Sequence, residues 1–111
     1  MVKCDQVSLL SFPKRLPQAT TVASFTNQNI SMIPSNAFLG CTELKILDLS
    51  MGKFAIISKH AFESLHNLQS LILSNNNLDL YDITSLETGL YKDTKNLQCL
   101  KLERNKVTKN P

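Results

Sequence analysis

The sequence contains no tryptophan, and its five phenylalanines and two tyrosines make aromatic residues only 6% of 111. Leu, Ile and Val must therefore build most of any core. Charge of one sign is also missing: 12 Lys and Arg against 9 Asp and Glu leave a formal charge of +3. A strongly basic nucleic-acid binder would show a dense Lys/Arg patch. The nearest approach is Lys101, Arg104, Lys106 and Lys109, which a solvated polar face explains equally well. No apolar run is long enough to span a bilayer. The N-terminal stretch MVKCDQVSLLSFPKRLP lacks the sustained apolar segment of a secretory signal peptide. If Met1 is an artificial start on a mature or internal segment, that lack says nothing about the compartment.

Chemistry is equally sparse. There is no P-loop, no dinucleotide-binding glycine pattern and no nucleophile elbow. His60 and His66 have no spacing to each other or to a cysteine that resembles a zinc site. The carboxylates are scattered, as solubility requires. The expectation is a protein that is not an enzyme and holds no cofactor or metal.

What is present is an internal repeat, the feature to seek first because it determines the whole architecture. Leu44, Leu47 and Leu49 are followed by Phe54, Ile57, Phe62 and Leu65. Leu68, Leu71, Leu73, Asn76 and Leu78 restart the pattern 24 residues on, and Leu97, Leu100, Leu102, Asn105 and Val107 restart it after a further 29. A weaker copy precedes them in Thr20, Ala23, Phe25, Gln28, Ile30, Ile33, Phe38 and Cys41. The stretches KILDLS, QSLILS and QCLKLE alternate with period two, as short strands with one buried face do. The second half of a repeat carries Ala37-Phe38 and Ala61-Phe62, large apolar groups that fill a wider side of each coil; Tyr91 takes the aromatic place in the third copy.

The pattern L-x-x-L-x-L-x-x-N/C-x-L with these periods is that of leucine-rich repeats. The resemblance implies an α/β solenoid, a right-handed horseshoe coil with a parallel β-sheet on its concave face and an irregular or short helical convex side. The expected organisation is an N-terminal cap over 1–19, repeats over 20–43, 44–67 and 68–96, the last elongated, and an incomplete fourth over 97–111. The missing convex half of that fourth repeat reads as a chain that continues, or an end covered by something else, because a bare end would favour aggregation. In this family an inward-turned Asn bonds to the backbone of neighbouring coils. Asn76 and Asn105 stand at that place, with Gln28 and Gly52 in the first two repeats.

Site candidates follow from this frame. The exposed concave residues are expected to include Lys45, Asp48, Ser50 and Met51 from one repeat, Ile72, Ser74 and Asn75 from the next, and Lys101, Glu103 and Arg104 from the last. Such a mixed face suits a protein or mixed ligand better than pure phosphate recognition. A five-residue insertion within Asp79–Gly89 reads either as a binding loop or, more simply, as an enlarged convex segment. Asn29-Ile30-Ser31 is the single N-glycosylation sequon and should lie in an exposed turn after the first strand. Of the three cysteines, Cys41 takes the place of a core Leu and Cys99 should lie on the concave strand face.

The chain further resembles the N-terminal part of a Toll-like receptor ectodomain, in the flagellin-sensing or fish-type branch. The residues that carry this are Cys4 with Phe12-Pro13-Lys14-Arg15-Leu16-Pro17, Ile33 to Phe38, Leu44 to Ser50, His60-Ala61-Phe62, Leu71 to Asn76, and Gly89-Leu90-Tyr91 before Lys95-Asn96-Leu97. The resemblance implies a cap disulfide at Cys4, with its partner upstream of the chain. It implies the extracellular or lumenal part of an innate-immune pattern-recognition receptor. Such a part binds a microbial ligand, whether protein, lipid or nucleic acid, and pairs with another receptor chain. The alternative is a secreted or matrix leucine-rich-repeat interaction protein.

Overall fold

The computed structural model describes residues 2–3, 16–35, 37–58, 61–79 and 94–106. Among these residues seven short strands run in chain order: β1 (Val2–Lys3), β2 (Val22–Ser24), β3 (Met32–Ile33), β4 (Ile46–Asp48), β5 (Ile56–Ile57), β6 (Ser70–Ile72) and β7 (Cys99–Lys101). Five form one all-parallel sheet in the order β1-β2-β4-β6-β7, and β3 and β5 pair in a second, two-stranded sheet. The chain is therefore a leucine-rich-repeat solenoid: each coil adds one strand to the main sheet and returns beside its predecessor.

Register shows why the repeat spacing matters. Ala23 is opposite Leu47, Leu47 opposite Leu71, and Leu71 opposite Leu100. Each central strand residue thus stacks on its repeat equivalent, and the first three are fully buried. Residues on either side of it point to the other face, as alternation along a strand demands. The next position in, Phe25, Leu49 and Leu73, continues the core and is likewise fully buried. The coils are tied by equivalent backbone bonds: Phe25 N–H to the Asp48 carbonyl, Leu49 to Ile72 and Leu73 to Lys101, all at 2.8 Å.

The convex side is irregular, and no helix occurs among the described residues. It is built from i→i+3 turns, such as Cys41 N–H to the Phe38 carbonyl (3.0 Å), Leu44 to Cys41 (3.1 Å) and Leu68 to Leu65 (3.2 Å). Phe38 and Phe62 fill it, stacked with ring centroids 6.0 Å apart and planes 11° apart. Cys41 is fully buried beside them in the same core, and burial pushes its thiol pKa up.

The backbone itself repeats where it bends. Asn27, Met51, Asn75 and Arg104 all have φ between 57° and 60°, at one position of successive coils. On the convex side Gly40 (φ 82°) and Ser64 (φ 76°) form a second such pair, 24 residues apart. The left-handed region costs a side-chain-bearing residue about 1 kcal/mol or more, a cost glycine escapes. Ser64→Gly is accordingly expected to raise stability by about 0.5–1 kcal/mol, read as a higher urea midpoint at constant slope. A lower midpoint would show that the Ser64 side chain contributes more than its backbone costs.

The cap residues Cys4 and Phe12–Arg15, the insertion from Leu80 to Gly89, Tyr91 and Val107 lie outside the described residues.

Candidate functional site: the concave face

The concave face is presented by the strand residues that flank the buried centres: Val22 and Ser24, Ile46 and Asp48, Ser70 and Ile72, Cys99 and Lys101. Their outward direction follows from the pleat, since Leu47 and Leu71 between them point into the core. Lys45, Lys101 and Arg104 are exposed, and Ile46 and Met51 are large apolar residues left 39% and 51% accessible. Asp48, Ile72, Asn75 and Cys99 are half-buried. Met51, Asn75 and Arg104 occupy the left-handed turn that ends each strand, which places them on one rim of the face.

Two members of the expected exposed row are in fact buried. Ser50 and Ser74 are only 9% and 8% accessible. The reason is side-chain hydrogen bonding. Asp48 accepts from both the Ser50 N–H (3.0 Å) and the Ser50 hydroxyl (2.6 Å), so its carboxylate closes the turn after β4. The Ser74 hydroxyl donates to Glu103 on the next coil, a contact that reaches sideways across the sheet. That bond, then the Glu103 backbone N–H, and then Lys101 and Arg104 nearby, hold the Glu103 carboxyl below its ordinary pKa. Ser50, Ile72, Ser74, Asn75, Lys101, Glu103 and Arg104 together line a shallow hollow open to solvent. Its lining carries one acid, two bases, two serines, one asparagine and one isoleucine. It can offer hydrogen bonds of both kinds and charges of both signs.

Behind this face lies the element that holds it rigid. The Asn76 side-chain amide donates to the carbonyls of Leu49 (2.8 Å), Leu73 (3.1 Å) and Ser74 (3.3 Å), and its oxygen accepts from the Phe54 N–H (3.1 Å). Asn105 repeats the arrangement one coil on, donating to Leu73 (3.0 Å) and Leu102 (2.9 Å) and accepting from the Leu78 N–H (3.0 Å). Each Asn therefore satisfies both its own coil and the one before it. Gln28, almost fully buried at the equivalent place, donates to the Thr26 carbonyl at 3.2 Å. Gly52 leaves a gap that is already spoken for: a Cβ there would come within 2.9 Å of the Asn76 oxygen and 3.3 Å of the Gln28 carbonyl. Gly52→Ala is expected to lower stability by about 1 kcal/mol or more, because the clash falls on an amide held at both ends. Stability equal to the parent in urea unfolding would contradict that.

A second row of asparagines has no counterpart among the sequence candidates. Asn67 donates to the Thr42 carbonyl and Asn96 to the His66 carbonyl, both at 2.8 Å, each reaching from one coil to the previous. The signal was present: both stand immediately before the first leucine of a repeat, at Asn67-Leu68 and Asn96-Leu97. Asn29 is exposed after the turn that follows β2, away from the concave strands. Among the described residues no group of three or more His, Cys, Asp or Glu is placed to hold a metal ion, and no helix is long and apolar enough to cross a membrane.

Comparison with known proteins agrees with this architecture. The leucine rich repeat family model matches residues 24–78. Human amphoterin-induced protein 2 is 39% identical over 85 residues, covering 76% of this chain and 15% of that protein. Human opticin is 40% identical over 78 residues, covering 70% and 23% respectively. Leucine-rich repeat-containing protein 3B of Bos taurus is 32% identical over 78 residues, covering 69% and 30%. The chain thus spans less than a third of the length of each of these relatives. Stacked parallel coils joined by an asparagine ladder, together with these matches, make the chain a member of the leucine-rich-repeat proteins.

Proposed function

We propose that this chain is a non-catalytic, extracellular protein-interaction module that binds its partner through the concave face. The observation that carries this is the division of labour within each coil. Inward residues are consumed by the core and the ladder, while Ile46, Met51, Ile72, Lys101 and Arg104 stand on rigid backbone with side chains open to a partner. Apolar and charged groups interleaved on a rigid surface are what protein interfaces use.

The finer assignment is the ectodomain of an innate-immune receptor resembling Toll-like receptors, binding a microbial product and pairing with a second receptor chain. Its support is the set of cap and repeat residues that carry that resemblance. The second reading is a secreted or matrix interaction protein. The similarity to amphoterin-induced protein 2 and opticin, neither named as a Toll-like receptor, favours it.

The test is a binding screen of the full natural protein. One arm holds bacterial flagellin, a lipopeptide and double-stranded RNA; the other holds matrix proteins and cell-surface ectodomains. Binding confined to the first arm supports the receptor, and binding confined to the second supports the interaction protein. Against whichever probe binds, Ile72→Arg with Lys101→Glu should weaken affinity about tenfold or more, the effect of losing about 1.4 kcal/mol. Leu39→Gln on the convex side should leave it unchanged. The reverse outcome would move the site off the concave face.

A further inference from the structure

We infer that Asn29 carries an N-linked glycan that covers the flank formed by β3 and β5 and leaves the concave face as the open side; this rests on the extracellular reading above. The sequon alone is a common pattern, but its placement is specific. Side chains alternate along the extended segment: Gln28 and Ile30 are buried, Asn29 and Ser31 exposed. The acceptor amide and the sequon hydroxyl thus both face solvent, while the residue between them anchors the segment in the core. The backbone beneath is fixed, since the Ser31 carbonyl accepts from the Ala55 (2.7 Å) and Ile56 (3.0 Å) N–H groups of the next coil. The ladder asparagines Asn67, Asn76, Asn96 and Asn105 spend their amides on neighbouring coils. Asn29 makes no hydrogen bond to another described residue, so a sugar on its nitrogen breaks none of the bonds described among them.

A second observation points the same way. Three residues past Asn29, Met32 stands in register with Ile56, and the two are 43% and 58% accessible. Exposed apolar pairs on neighbouring strands invite association. A glycan rooted at Asn29, three residues along the chain from Met32, is large enough to reach over this pair and shield it. In the modification the Asn29 Nδ2 forms a C–N bond to the anomeric carbon of an oligosaccharide carried on a polyprenyl diphosphate. The anomeric C–O bond breaks, the polyprenyl diphosphate leaves with the electron pair, and the amide proton passes to a base of the transferase.

The test directs the chain into the secretory pathway of a eukaryotic cell and analyses the secreted product. Wild type should show a single glycosidase-sensitive mobility shift, with Asn29 converted to Asp on enzymatic release. Asn29→Gln and Ser31→Ala should each lose the shift, whereas Ser31→Thr should keep it. Enzymatically deglycosylated wild type should self-associate more than the glycosylated form, and Met32→Thr with Ile56→Thr should abolish the difference. A secreted, folded wild type with bare Asn29 overturns the site, and equal self-association before and after deglycosylation overturns the shielding. Neither result touches the binding function, which fails instead if a glycosylated chain binds equally well with its concave face substituted.

Discussion

Asn76→Ala is expected to destabilise the chain by about 3 kcal/mol. The substitution strips the Phe54 N–H of one acceptor and the Leu49 carbonyl of one donor, both in the interior. Removing a partner from a buried backbone group costs up to about 1–3 kcal/mol each. The Leu73 carbonyl keeps a partner, because it also accepts from Asn105 at 3.0 Å. The comparison that makes the expectation specific is Asn105→Ala. Asn105 makes the same kinds of bond but is only half-buried, so water can replace much of what is lost, and about 1 kcal/mol should go. Asn76→Asp should be at least as damaging as Asn76→Ala, since an ionised carboxylate cannot donate to the three carbonyls that surround it. Equilibrium urea unfolding at neutral pH measures all three. Equal losses at Asn76 and Asn105 would mean that burial of the ladder does not set its strength.

Phe38→Ala should cost still more, about 3–5 kcal/mol, the usual range for deleting a fully buried aromatic ring. Phe38 lies at the convex side, which is built from turns, with no helix among the described residues to supply bulk. Its ring stacks on Phe62 of the next coil, so the hole opens between two repeats and not within one. Pairing Phe38→Leu with Phe62→Leu in a double-mutant cycle should expose a coupling of about 0.5–1.5 kcal/mol beyond simple burial. A loss under about 1 kcal/mol for Phe38→Ala would show that the coils close over the hole.

These two residues differ in how far the sequence betrays them. Phe38 is visible as one of two Ala-Phe pairs 24 residues apart, and its burial is a direct consequence of the repeat. Asn76 is visible by type and spacing, yet its particular bonds depend on where the previous coil's backbone runs. The second row, Asn67 and Asn96, also recurs with the repeat, but its role depends on the preceding coil's carbonyls, which only stacking brings to 2.8 Å. The concave row shows the opposite case. Ser50 and Ser74 alternate correctly for exposure, but each hydroxyl is drawn under a carboxylate, one on its own coil and one on the next.

The pairing of β3 with β5 was equally out of reach. Each is two residues long, too short to carry a period, and it exists only because Met32 and Ile33 meet Ile56 and Ile57 one coil later. By itself, then, the sequence determined the coil: leucines at a fixed interval must bury together, so spacing alone sets the strand order, the parallel register and the core. The tertiary structure decided what the surface offers. Side-chain hydrogen bonds, within a coil at Asp48–Ser50 and between coils at Ser74–Glu103, choose which side chains remain open to a partner. No local pattern encodes a distance that only stacking creates.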